Sequence, residues 1–448
     1  MGDDTVAGES ATGYKGTPSR ARLLEVAAFF LKIGLVGFGG PLVHIAMMED
    51  ELVGEGSEGW TDESTFAEGL AICNVLPGPA STQLGIFMGW IRAGTLGALV
   101  AGATFMLPTF TLVVGFSYLY FAYGRFPATM MMFYGINPVV IGLIVGASYS
   151  MARSALGRGD DTFSFSVGAD DWSVDWKLLG LLVGALTATV LVNPNPVLEF
   201  VVAGVAAVAV YRTEWLRENP RSVSVGVAVA AVGSVLYVLR DRLLGWLVRL
   251  VPSSGVAPIV GAIWGNLWLK LFLFMLYTGS FIYGGGLVLI PFIEKYVVGE
   301  FGWLSSNAFV DGIAIGQLTP GPVVMTTAFV GYELMYETYG ASVFWGVVGA
   351  FVAAVGAFAP SFVFIMGLFP YVARIRENEV VQVALTGINA AVVGAIVGAT
   401  VTLAREALVD PFTTLLAVVT FALFVRGVDA AYLIVGGGVA GLVVGSVV

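Results

Sequence analysis

Two apolar stretches of the chain carry the same interruption. Residues 74–79 read Asn-Val-Leu-Pro-Gly-Pro and residues 317–322 read Gln-Leu-Thr-Pro-Gly-Pro. The match extends on both sides. Gly34 aligns with Gly279, Phe38-Gly39-Gly40-Pro41 with Tyr283-Gly284-Gly285-Gly286, and Trp60 with Trp303. Further on, Pro108 aligns with Pro360, Gly135-Ile136-Asn137 with Gly387-Ile388-Asn389, and Ile144–Ala147 with Ile396–Ala399. A Gly/Pro pattern shared over roughly a hundred residues marks a duplicated structural unit. Whatever the first copy folds into, the second must fold into something closely related.

Composition says where such a unit can live. The chain has 448 residues, 57% hydrophobic and 12% charged, with a mean hydropathy of +0.88. A water-facing globule needs roughly 25% charged residues, so lipid must cover most of this surface. Apolar runs near the ~20 residues needed to cross a bilayer lie at 23–48, 64–91, 95–122, 133–153, 177–193, 197–211 and 223–240. A second set lies at 268–293, 309–333, 343–369, 381–404, 411–425 and 429–447. The runs on either side of Asn193-Pro194-Asn195-Pro196 form either a tight helical hairpin or two full spans. The reading is an all-α polytopic membrane protein of about 12–14 transmembrane or re-entrant helices in two homologous, inverted halves. Its parts are a cytoplasmic tail (1–22), a first repeat with extra helices (23–240), an interfacial linker (241–267) and a second repeat (268–448).

Inversion follows from two arguments. Seven runs precede the second copy, so it starts from the other side. Lys and Arg are enriched on the cytoplasmic side of membrane proteins. With a cytoplasmic N-terminus, inversion puts Arg92, Arg153, Arg158, Arg212, Arg217, Arg221, Arg374 and Arg376 inside, and Arg125, Arg240, Arg242 and Arg405 outside.

Several chemistries lack raw material. Cys73 and His44 are the only cysteine and the only histidine. A disulfide, a zinc or haem site and a Ser-His-Asp triad therefore have almost nothing to be built from, and no cofactor is expected. The net charge of −10, concentrated in loops such as Asp160-Asp161 and Asp170-Asp171, argues against nucleic acid. No Walker-type phosphate loop occurs.

The Pro-Gly-Pro runs carry the functional signal. Proline removes a backbone donor and glycine relaxes the chain, so both helices break at membrane depth. Broken backbone there is tolerated where it is buried in protein or lines a wet cavity. The expected substrate-binding set is Asn74, Pro77, Gly78, Pro79, Ser81, Thr82 and Gln83 in one copy, with Gln317, Thr319, Pro320, Gly321, Pro322 and Thr326 in the other. A half-helix starting after each break aims free N–H groups at the site, which favours an anion. The plain alternative is a pair of packing kinks; duplication with polar flanks favours a site.

Gly39, Gly40, Gly284 and Gly285 are candidate gating positions, where the first helix of each half approaches the Pro-Gly-Pro segment. His44 is either a proton-coupling group or a histidine hydrogen-bonded at a helix end; its counterpart is Leu289. Glu294, equivalent to Glu49, is either a proton or cation acceptor or a solvated helix end. Arg92 is either a vestibule charge or a topological anchor. Lys32 and Lys270 either attract an anion or snorkel to water.

Phe38-Gly39-Gly40-Pro41 with His44-Ile45, then Leu76-Pro77-Gly78-Pro79-Ala80-Ser81-Thr82-Gln83, resembles the first half of the chromate ion transporter family. Gly284-Gly285-Gly286, Trp303, the run from Asp311 to Gln317, Thr319-Pro320-Gly321-Pro322 and Gly331-Tyr332 resemble its second half. The resemblance implies a two-domain member in the cell (plasma) membrane that exports chromate, with sulfate as a structural analogue. The reading is a secondary transporter, not an enzyme, with alternating access around the paired breaks. Its partners are the oxyanion and the bilayer, with a homo-oligomer left open. The rivals are a channel-like anion pore and an intramembrane enzyme or helical scaffold.

Overall fold

At Gly37–Gly40 one helix ends, another begins, and the chain reverses. The computed structural model describes residues 16–38, 40–54, 59–123, 126–157, 162–167, 170–213, 265–283, 285–369, 371 and 378–446. Helix α1 (Arg20–Val36) runs inward from the N-terminal face, capped by the Ser19 hydroxyl accepting from the Arg22 N–H. Helix α2 (Pro41–Leu52) returns beside it, with proline at its first position, where no donor is lost. Lys32 Nζ lies 2.8 Å from Glu51. Along a straight helix those residues would stand ~28 Å apart, so the ion pair requires the reversal.

The next segment repeats the manoeuvre. Helix α3 (Glu63–Cys73), capped by Asp62, runs inward to Pro77-Gly78-Pro79. The first limb of α4 (Ala80–Tyr123) comes back. At Ala93 (φ −141°, ψ 25°) and Gly94 (φ 64°, ψ −154°) α4 folds over, and its limb 95–123 crosses the molecule. The limbs touch at Gly89 and Gly97, where an added Cβ on either would overlap the other's carbonyl. Runs 23–48 and 64–91 are therefore re-entrant hairpins and not the spans expected, because the Gly/Pro breaks reverse the chain instead of kinking it. Two crossings fewer leave the parity unchanged, so the inverted arrangement survives the correction.

Helix α5 (Pro127–Leu156) crosses back to the N-terminal face. An antiparallel hairpin of β1 (Thr162–Val167) and β2 (Asp170–Asp175) follows. It is the one sheet among the described residues, and it puts Asp170-Asp171 in a strand where a loop was expected. Helices α6 (Trp176–Leu191) and α7 (Pro196–Tyr211) cross and return. Each is ~24 Å long, so the runs beside Asn193 are two short spans joined by a tight turn. The expected span 223–240, and the expected linker 241–267 up to residue 264, lie outside the described residues.

The second half repeats the plan from the opposite face. Helix α8 (Leu267–Gly279) runs inward. A 3-10 turn (Gly286–Val288), α9 (Leu289–Phe292) and a π-helical stretch (Ile293–Glu300) return. Helix α10 (Ser306–Leu318) runs to Pro320-Gly321-Pro322, and α11 (Thr326–Thr338) comes back. Helices α12 (Val343–Val363), α13 (Glu379–Ala407), α14 (Pro411–Val425) and α15 (Ala430–Gly445) complete it. Asn193, at the far end of α6, hydrogen-bonds Glu294, whereas Arg212, at the near end of α7, pairs with Glu379. The bases of the two halves thus lie on opposite faces.

The halves exchange helices. α6 and α7 pack on α13, while α14 and α15 pack on α5. Small residues permit this: Gly394 meets Leu182 and Ala185, and Gly135 meets Gly437 and Gly441. Without a hydrophobic drive between helices in lipid, such close backbone approach supplies the attraction. α4, α5, α13 and the run Val343–Leu368 are long and apolar enough to cross a membrane. The chain is a multi-pass, all-α membrane protein.

Among the described residues the buried core has two large parts and a small third, where α6 meets α13. One cluster holds the first-half hairpins with Ile365 and Phe369 from the end of the α12 run. A larger one joins the second-half hairpins to α5, α13 and the outer part of α4.

Candidate functional site

The four helix breaks meet in crossed pairs. The Gly78 N–H donates to the Ile282 carbonyl at 2.6 Å, and the Gly321 N–H donates to the Gly37 carbonyl at 3.1 Å. Each Pro-Gly-Pro turn is thus tied to the first break of the other half. Both glycines sit at positive φ, 134° and 95°, a region that a Cβ disfavours. Both also lack room: an added Cβ at Gly78 would overlap the Gln83 amide and lie 2.9 Å from Ser361 Oγ, and one at Gly321 would overlap Thr109 Oγ1.

The long crossing helices seal the turns. Thr109, just after Pro108 in α4, donates from Oγ1 to the Pro320 carbonyl at 2.6 Å. Its counterpart Ser361, just after Pro360 in α12, is buried beside Gly78, but its hydroxyl has no partner. Gln83 Nε2 donates to the Pro77 carbonyl at 2.7 Å, leaving its buried Oε1 and the neighbouring Thr82 hydroxyl unpaired. The first turn therefore holds three unpartnered polar atoms: Thr82 Oγ1, Gln83 Oε1 and Ser361 Oγ. In the second, Thr319 and Thr326 donate to the local carbonyls of Gly316 and Val323.

The remaining expected residues scatter around this centre. Ser81 is buried with Thr82 and Gln83, Pro77, Pro79 and Pro322 frame the turns, Gln317 is half-buried and Asn74 is exposed at the end of α3. Gly39 and Gly284 lie outside the described residues. At Gly40 and Gly285 an added Cβ would meet nothing within 4 Å, so these glycines supply backbone conformation and not close approach. Close approach to the Pro-Gly-Pro segment occurs instead at Gly286, where an added Cβ would lie 2.8 Å from Val323, while Gly34 leaves room for the Phe105 carbonyl of the crossing limb of α4. A cavity of about 10 Å³ between Gly286, Ile313, Val323 and Thr326 has room for about one water. An oxyanion does not fit there.

The charged candidates resolve into distinct settings. His44 is buried and places Nε2 2.8 Å from the Gly37 carbonyl, the same oxygen that receives Gly321. Glu294 is only 8% exposed beneath the α6–α7 turn, so it is not a solvated helix end. Arg92 forms a bidentate pair with Glu25, and the Trp60 indole donates to the same carboxylate at 2.8 Å. That cluster ties the bases of both first-half hairpins. At the matching position of Glu25, Lys270 lies 4.1 Å from the Phe301 ring centre and 5.4 Å from that of Trp303. Lys32 pairs with Glu51.

The structure adds residues that were not singled out. Thr109 and Ser361 follow the aligned prolines, and that shared position was the available signal. Asp311, 7% exposed in α10, accepts from the Tyr120 hydroxyl at 2.6 Å. An acid inside an apolar run is by itself a functional pointer.

The profile of the chromate transporter family matches residues 24–210 and 269–442, both of the duplicated units. A probable chromate transport protein of Synechococcus elongatus is 30% identical over 400 residues, covering 89% of this chain and 88% of that protein. A chromate transport protein of Cupriavidus metallidurans is 29% identical over 419 residues, covering 93% and 91%. One from Pseudomonas aeruginosa is 30% identical over 385 residues, covering 85% and 81%. No solved structure matches the chain.

Proposed function

The chain belongs to the chromate transporter family, and from that premise we propose that it is a secondary transporter exporting chromate from the cytoplasm across the plasma membrane. Sulfate, of the same shape and charge, is the expected competitor.

The crossed hydrogen bonds carry this reading. The Gly78 and Gly321 N–H groups, the donors best placed for an anion, are each held by a carbonyl of the opposite half. A carbonyl oxygen there fills the acceptor position that an oxyanion oxygen would take. Hydrogen bonds to an anion are roughly twice as strong as neutral ones. Chromate therefore competes for these donors once the halves separate, and the carbonyls reclaim them when it leaves. Thr82, Gln83 and Ser361 supply further polar atoms, and the N-terminal ends of α4 and α11 supply favourable dipoles. The arrangement with both crossed pairs made is then a closed state, and alternating access is the opening of one crossed pair at a time.

Orientation follows from charge. The N-terminal face carries Arg20, Arg22, Arg92, Arg153, Lys177, Arg212 and Arg426 among the described residues; the opposite face carries Lys270, Lys295 and Arg405. The richer face is cytoplasmic by the positive-inside tendency.

Labelled chromate should enter inside-out vesicles saturably, with sulfate competing and chloride not. Flux that fails to saturate would make the protein a pore. Saturable uptake that persists in Gly78→Leu and Gly321→Leu would remove the breaks from the binding site.

A further inference from the structure

Asp311 lies deep in α10, about 9 Å along the helix from Gln317 at the edge of the second Pro-Gly-Pro turn. It stands at the seam between the halves. Tyr120 of α4 donates its hydroxyl to Oδ2 at 2.6 Å, and Asn137 of α5 lies beside it; both come from the first repeat. Oδ1 is buried and receives no donor, and the buried Oδ1 of Asn137 receives none either. Acceptors buried at membrane depth without a donor are rare, because nothing there replaces the lost water.

A second acid continues the line. Glu333 in α11 stands close enough to Asp311 and to Glu337 for both carboxylates to act on it, and its buried Oε2 also lacks a donor. Glu337, one turn further, is exposed near the end of α11, on the face opposite the N-terminus. The groups facing Asp311 are thus Tyr120, Asn137 and Glu333, with Glu337 behind Glu333. No lysine, arginine or histidine among the described residues pairs with either acid, and no group of three or more His, Cys, Asp or Glu there could hold a metal ion. A single proton on the Asp311 carboxyl satisfies its Oδ1 and the Asn137 Oδ1 together; a metal cation would need a ligand set that is not present among the described residues.

We propose that Asp311 is a proton-binding site of the transport cycle, reached from the face opposite the N-terminus along Glu337 and Glu333. A proton on Oδ1 turns that oxygen into a donor, and Asn137 Oδ1 is the acceptor beside it. The protonated acid then bonds two residues of the first repeat, Tyr120 and Asn137, from a helix of the second. Proton release makes the carboxylate an acceptor only, so Asn137 must turn its amide N–H toward it or lose the bond. Proton occupancy therefore changes how firmly the halves are joined, next to the turn that holds Gly321. In the proposed orientation the proton enters from outside and its inward movement drives chromate out. The coupling rests on the chromate reading; the proton site itself does not.

Two measurements test it separately. Infrared titration of the purified protein should show the C=O stretch of a buried carboxylic acid growing as the pH is lowered through the range from neutral to mildly acid, and Asp311→Asn should remove that component. Identical bands in the two proteins would overturn the site whether or not chromate is carried. In proteoliposomes an imposed proton gradient should speed net chromate movement severalfold. Asp311→Asn should lose that response while still exchanging chromate for chromate, which also shows that it has folded. Glu333→Gln should slow the response to protons offered from the face opposite the N-terminus more than to those offered from the N-terminal face. A gradient response in Asp311→Asn equal to the wild type, or no response in a wild type that does exchange chromate, would overturn the coupling. Absence of exchange in the wild type would instead reject the substrate reading.

Discussion

Beside the first break of the first half, Leu35, Phe38 and Leu42 lie exposed, Leu42 to 80%; beside the matching break of the second, Ile282, Val288 and Leu289 are buried. The second return limb packs against α13 and is tied further along by the α6–α7 turn. Asn195 bonds both Tyr296 at 2.6 Å and Tyr277 at 3.1 Å, and Lys295 donates to the Asn193 carbonyl at 2.5 Å. At the positions matching Tyr277 and Tyr296, the first half has Lys32 and Glu51, whose ion pair is about half exposed. The first-half hairpins pack in a separate core, which Ile365 and Phe369 of the second half complete. Duplicated sequence has given two hairpin pairs of one plan and unequal anchorage.

The largest expected effect tests what the halves share. Gly78→Ala and Gly321→Ala should both abolish chromate uptake and lower stability by about 1–3 kcal/mol, read as uptake at matched protein level and as Tm in detergent. Uptake surviving in one of the two would break the symmetry of the crossed pairs and leave a single functional turn.

A smaller effect separates them. Thr109→Ala removes a made, buried hydrogen bond and should cost about 1 kcal/mol. Ser361→Ala removes a hydroxyl with no partner and should change stability by no more than about 0.5 kcal/mol. If Ser361→Ala nonetheless weakens chromate binding severalfold, that hydroxyl belongs to the ligand. Equal stability losses would mean that Ser361 bonds to the first turn as Thr109 does to the second.

Salt sharpens the contrast at the two bases. The Arg92–Glu25 pair is partly exposed, so Arg92→Gln should cost about 0.5 kcal/mol at low salt and less at high salt. Lys270→Gln loses contact with two aromatic rings, about 0.5–1 kcal/mol, and depends less on salt. Thermal shifts measured across a salt series distinguish the two; parallel salt curves would contradict the assignment.

The smallest effect concerns acid. Asp62 caps α3, and the Ser64 hydroxyl and then the Thr65 N–H hold its carboxyl below the usual range. A depressed carboxyl stabilises the fold above its unfolded pKa, and that contribution is lost as pH falls through the folded value. Ser305, which caps α10 by accepting from the Ala308 N–H at 3.1 Å, does not titrate. Hydrogen exchange at the Thr65 amide should therefore accelerate in acid relative to that at Ala308. Equal acceleration would mean that α3 frays for another reason.

Much of this was legible before any coordinates. Hydropathy identified the solvent, and paired Gly/Pro breaks located the centre, since neither proline nor glycine can be read as ordinary helix there. The re-entrant hairpins were less legible. A break in an apolar run is equally consistent with a kink that continues and a turn that reverses, and only contacts such as Lys32–Glu51 or Glu25–Arg92 distinguish them. Glu294 was misjudged in its solvated reading because nothing local announces that a turn a hundred residues earlier will cover it.

Residue type is enough to place the chain in lipid, to make it one unit used twice, and to break both copies at Pro-Gly-Pro. These are consequences of residue type: too few charges to face water, and residues that cannot continue a helix. Tertiary structure alone decided that each break bonds to the other half, that the halves trade helices, and that Asp311 meets Tyr120 from the opposite repeat. A hydrogen bond between residues separated by two hundred positions depends on where whole helices come to rest. That placement is fixed by the summed packing of small residues such as Gly135 and Gly394, not by any motif beside the atoms that bond.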